Sequence, residues 1–70
     1  MKNIKYRIVL LGKKQLYYND EKQAFLRDYY KATIFQYSAW TDATDKLKEL
    51  KAKYPMHADL IWIDSFLSAY

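Results

Sequence analysis

His57 is the only histidine in the chain, and the side chains nearest in sequence that could join it in nucleophilic hydrolysis are Asp59, Asp64 and Ser65. Such chemistry needs a nucleophile, a base and a group that orients the base. On an extended strand His57 and Asp59 share a face while Asp64 points to the other, so these residues do not form a triad by local spacing. His57 directly follows Pro55-Met56, a place that suits a connecting loop. No catalytic residue is assigned.

Metal chemistry has little to draw on. The absence of cysteine removes thiolate zinc sites, iron–sulfur ligation and disulfides. Asp42, Asp45 and Glu49 recur at three and four residues and would line one helix face, but Lys46, Lys48 and Lys53 are interleaved with them; a solvated helix face accounts for the pattern better than a cluster of hard oxygen ligands. The turn Leu11-Gly12-Lys13-Lys14 has one glycine where a phosphate-binding loop needs several and a following Ser or Thr. No cofactor is expected, and the chain reads as a non-enzyme.

What is left is binding chemistry. Eight tyrosines, two tryptophans and three phenylalanines in 70 residues supply large contact surfaces at low entropic cost, though a chain this short also draws on its aromatics to build a core. Net charge is +4, and all of it comes from one end: residues 1 to 16 hold Lys2, Lys5, Arg7, Lys13 and Lys14 with no acid. The remaining residues hold seven basic and eight acidic side chains. A field of that kind attracts a polyanion or an acidic protein surface.

Those side chains must be carried by a few short elements. Ile4, Tyr6, Ile8 and Leu10 alternate with Lys5 and Arg7, and Ile8 to Leu11 are apolar on both faces, which predicts an interior strand over 4–11. Gly12 then permits a tight turn. Gln15 to Tyr18 either returns as a short hairpin strand or lies as an open loop. Asn19-Asp20 with Gln23 three residues beyond Asp20 has the form of a helix start, and Phe25, Leu26, Tyr29 and Tyr30 fall on one helical stripe, predicting a helix over 21–31. Thr33 to Ser38 alternates as a strand. Ala43, Leu47, Leu50 and Tyr54 recur at four, three and four, with Trp40 one turn ahead, predicting a helix capped by Thr41 over 41–54 and ended by Pro55. Asp42 with Lys46 and Glu49 with Lys53 supply ion pairs at four-residue spacing. The run 58–63 reads as another interior strand.

The expected architecture is therefore one α/β domain spanning residues 1–70, with a small mixed or largely parallel sheet of three to four strands and two helices, in the order β-(β)-α-β-α-β, because helical crossovers usually join parallel neighbours. Tyr6, Phe25, Phe35, Trp40 and Trp62 are the expected core aromatics. With two helices on one side, Trp62, Tyr6, Phe66 and Tyr70 stay partly exposed, and a homodimer or bound partner would cover them.

Two binding readings follow. In the first the chain is a small regulator or inhibitor that covers a surface on a larger protein partner, through Tyr17, Tyr18, Tyr30, Tyr37, Phe66 and Tyr70. In the second it contacts nucleic-acid phosphates through Lys2, Lys5, Arg7, Lys13 and Lys14, with Tyr17 and Tyr18 as stacking groups. No stretch approaches the roughly 18 apolar residues needed to cross a bilayer, and the basic start lacks a secretory pattern. A cytoplasmic protein without membrane contact is expected.

Overall fold

In the computed structural model residues 3–67 are described; Lys2 and Tyr70 lie outside them. The architecture is a five-stranded antiparallel sheet with one α-helix on one face. The strands are β1 (Ile4–Leu11), β2 (Gln15–Asn19), β3 (Ala24–Leu26), β4 (Phe35–Gln36) and β5 (Ile61–Leu67), and the helix is α1 (Trp40–Lys53). Short 3-10 segments at Tyr29–Lys31, Tyr37–Ala39 and Pro55–Leu60 fill the connections.

β1 is the centre. β5 pairs with it from Ile4 to Leu10. β2 pairs with its far end, Val9 to Leu11, and β4 with its near end, at Lys5 and Tyr6, so β2 and β4 follow one another along the edge opposite β5. β3 extends the sheet beyond β2.

This overturns the expected fold in three respects. The sheet is antiparallel throughout, with five strands and a single α-helix. β4 and β5 do run parallel to each other, as a helical crossover favours, but both are antiparallel to β1, which lies between them. Second, the helix expected over 21–31 does not form. The Asn19 carboxamide oxygen accepts from the Lys22 amide at 2.8 Å and Gln23 adopts φ 50°, closing a turn. Phe25 and Leu26 then leave on opposite faces of β3, and Asp28 accepts from the Tyr30 amide at 2.9 Å to start a 3-10 turn. Asn19 prefers a turn to a helix cap here because β2 feeds straight into it. Third, the strand expected over 33–38 shortens to two residues, while that expected over 58–63 moves to Ile61–Leu67. The helix of 41–54 is present within a residue at either end, though Ala39 occupies the cap position in place of Thr41, without a side-chain hydrogen bond.

Residues directly opposite in an antiparallel pair share a face, so the register assigns sides. Ile8, Leu10, Tyr18, Phe25, Phe35, Ile61 and Ile63 face α1, whose Leu47, Leu50 and nearby Tyr54 complete the core. Tyr18 packs edge-on against Phe25, and Phe25 against Tyr54, at centroid distances of 5.5 and 5.8 Å. Tyr18, a surface candidate from sequence, is thus a core residue at 3% exposure. Trp40 and Trp62, expected in the core, are 48% and 53% exposed. Trp62 stands on the side of the sheet that no helix covers among the described residues, whereas Trp40, the first residue of α1, lies at the rim of the helix side.

A charged cluster fastens α1 to the β2–β3 turn. Lys46 Nζ lies 3.1 Å from Glu49 and 3.4 Å from Asp20, and the Tyr18 hydroxyl donates to Asp20 at 3.2 Å. The hydrogen bond to Glu49 raises the Lys46 pKa above its ordinary 10.5, and burial raises that of Tyr18 above its ordinary 10.0. Both groups hold their protons more tightly in the folded chain. Their contribution to stability is whole below about pH 10 and is lost as pH rises through the raised values. Thermal melts at increasing alkaline pH should therefore show Tm falling above about pH 10. Tyr18→Phe should flatten that decline and cost about 1 kcal/mol or less at neutral pH, the net worth of a single hydrogen bond; an unchanged alkaline slope in this variant would remove Tyr18 from the account.

Candidate protein-interaction face

The side of the sheet away from α1 is built from every second residue of its strands. Lys5, Arg7 and Val9 come from β1, Tyr17 from β2, Leu26 from β3, Gln36 from β4, and Trp62, Asp64 and Phe66 from β5. The strands fix these side chains in rows: Trp62, Val9, Tyr17 and Leu26 stand side by side, with Asp64 and Arg7 in the next row and Phe66 and Lys5 beyond.

Arg7 organises the middle. Its Nε donates to Asp64 Oδ2 at 2.7 Å. Its guanidinium carbon lies 5.0 Å from the centre of the Tyr17 ring and 4.8 Å from that of Phe66, within cation–π range of both. Tyr17 in turn meets Tyr29 edge-on at 6.2 Å, and Tyr29 contacts Tyr30 at 4.1 Å. An aromatic band held by one arginine thus runs from Phe66 to Tyr30. Beneath it Val9 is only 3% exposed; no helix covers that residue, so the neighbouring side chains do. Trp62 and Tyr29 keep about half of their surface in solvent and Tyr30 most of it.

The residues singled out from sequence are divided by the fold. Tyr17 and Phe66 lie on this face and Tyr30 at its border, whereas Tyr18 is in the core. Tyr37 belongs to a separate groove of about 520 Å³ on the helix side of the sheet, lined with Tyr6, Trp40, Ile63 and Ser65, where Tyr6 packs 4.9 Å from Trp40. Tyr70 and Lys2 fall outside the described residues.

Among the basic candidates, Lys5 and Arg7 are on the open face, but Lys13 and Lys14 are exposed in the hairpin turn beside a depression that Arg27, His57 and Leu60 also line. The six residue steps of β1 from Lys5 to Leu11 span about 20 Å, and Arg7 is already paired with Asp64. The cations are therefore in two places, and one of them is locally neutralised.

Leu26 and Tyr29 were not marked as site residues by the sequence, Trp62 entered only as a ring left partly exposed if both helices lay on one side, and Asp64 only among the residues weighed for hydrolysis. The alternation of Trp62, Asp64 and Phe66 in the last strand was the available signal, and reading it required the strand to be set at 61–67. Of the residues considered for catalysis, Asp64 is engaged by Arg7, Ser65 faces the other side of β5, and His57 sits in the 3-10 segment before it. Among the described residues no cluster of three or more His, Asp or Glu is placed to hold a metal ion, and no helix is long and apolar enough to cross a membrane. Comparison with protein-family models, with curated proteins and with solved structures finds no match.

Proposed function

We propose that the chain is a protein-interaction module, a small regulator or inhibitor that docks the helix-free face of its sheet on a larger protein. The observation that carries this reading is the composition and order of that face: Tyr17 and Phe66 against Arg7, Tyr29 against Tyr17, and Trp62 in the adjoining row beside a buried Val9. Tryptophan, tyrosine and arginine dominate the residues that carry binding energy at protein interfaces, and they do so when packed together in a central patch. Here the patch is held in register by strands, so little ordering entropy is lost on binding. The ion pair with Asp64 offsets the charge of Arg7, which favours a protein surface over a polyphosphate.

A photo-crosslinking amino acid placed at position 62, and in a second preparation at the exposed Lys48 on α1, tests the reading in extracts of the source cells. A discrete protein adduct from position 62 and none from position 48 is expected. Parallel titration with single-stranded oligonucleotides should give no binding at physiological salt. Oligonucleotide binding that weakens steeply with salt, and weakens again when Lys13 and Lys14 are neutralised, would instead support the nucleic-acid reading.

A further inference from the structure

β5 is, among the described residues, a sheet edge open over most of its length. Among the described residues it pairs with β1 alone, and it is the longest strand at either border of the sheet, seven residues against three in β3. Soluble proteins commonly protect such edges with lysine, proline or a bulge. β5 contains neither lysine nor proline, and its one charge, Asp64, is turned onto the open face and paired with Arg7. Lys51 reaches the Trp62 ring, with Nζ 5.7 Å from its centre, and so guards the first part of the edge. Among the described residues the part from Ile63 to Leu67 has no comparable cation.

We infer that this edge pairs with the same edge of a second copy, giving a two-fold dimer with one continuous antiparallel sheet. In an antiparallel self-pairing, one residue must stand opposite its own copy. Centring on Asp64 would set two carboxylates against each other. Centring on Trp62 or Ile63 would carry the pairing across the Lys51 guard. Centring on Ser65 opposes two small hydroxyls, places Asp64 against Phe66 of the second copy, and places Ile63 against Leu67 of the second copy.

That last pair supplies the fit. Leu67 is 80% exposed and lies on the α1 side of β5, the same side as Ile63 and Ser65. Ile63 and Ser65 form the β5 wall of the aromatic groove with Tyr6 and Trp40. Pairing about Ser65 brings Leu67 of each copy to the mouth of the groove of the other, so two apolar features exposed in the single chain cover one another. Because the axis is perpendicular to the sheet, both helix-free faces point the same way, their Arg7 residues three strand spacings apart and offset by two residues along the strands, about 16 Å in all. The dimer itself stands independently of what those faces bind.

Sedimentation equilibrium over a concentration series reaching roughly 0.5 mM, enough to detect weak association, should show the mass rising from 8.5 kDa to twice that value. Ser65→Lys and Ser65→Glu should each weaken self-association by more than about tenfold, since each opposes like charges on the axis. An equimolar mixture of the two should restore the dimer. Far-UV circular dichroism checks that both variants fold, and should they not, NOEs between labelled and unlabelled wild-type chains, from Leu67 methyls to Ile63, give the same answer. A mass fixed at 8.5 kDa throughout, undiminished dimerisation by folded S65K, or a dimer lacking those NOEs would each overturn the inference.

Discussion

Leu50→Ala should remove most of the stability of this chain. Leu50 is 2% exposed near the C-terminal end of α1, in a core it shares with Ile8, Tyr18 and Ile61. Truncating a buried leucine costs about 2 to 5 kcal/mol, because transfer energy is lost and the cavity closes only in part. A domain of this length has a total stability of about 3.5 to 10 kcal/mol at usual per-residue values. The core rests on a single helix, so no second layer can shift to fill the gap. With a urea slope of about 1 kcal/mol per molar for so small a protein, the midpoint should fall by about 2 M or more, and a substantial unfolded fraction should appear without denaturant. Met56→Ala is the control: Met56 is exposed on the 3-10 segment and should change stability by no more than about 0.5 kcal/mol. Should the two variants unfold at the same urea concentration, α1 would not be packed on the sheet as described.

The periodicity that identifies Leu50 was legible from sequence because it is local. Ala43, Leu47, Leu50 and Tyr54 announce a helix without reference to any other part of the chain, and the alternation of β1 is equally self-contained. The segment 21–31 failed for the opposite reason. Its spacing of Phe25, Leu26, Tyr29 and Tyr30 suits a helix as well as it suits a strand followed by a turn. The choice falls to a contact outside it, the pairing of Tyr17 and Tyr18 with Leu26 and Phe25 across the Asn19 turn. The same dependence on register separates two adjacent tyrosines that both read as surface candidates. Once 15–19 pairs with β1, neighbouring residues must face opposite sides, and the turn at Gly12 to Lys14 sets Tyr17 opposite Val9 and sends Tyr18 inward. The candidate site was legible as a composition and not as a place. Arg7 and Asp64 are 57 residues apart, and nothing local to either says that they meet.

Trp62→Ser is the substitution expected to separate binding from folding most sharply. The indole is half in solvent on the helix-free face, opposite Val9 on β1, so its removal takes away only the part of its surface that shelters Val9 and rests near Lys51. A loss of stability below about 2 kcal/mol follows, small beside that of a fully buried aromatic. In an interface the exposed half becomes buried as well, and aromatic anchors at the centre of such patches are worth about 2 kcal/mol or more, equivalent to about a 30-fold loss of affinity. Arg7→Ala should also weaken binding, but with a larger folding penalty, because it removes the group that lies against both Tyr17 and Phe66 and leaves Asp64 without its ion-pair partner. Once the partner is identified by crosslinking, isothermal titration with each folded variant orders the two. A wild-type affinity retained by both Trp62→Ser and Arg7→Ala would move the interface off this face, toward the aromatic groove beside Trp40 or the hairpin carrying Lys13 and Lys14.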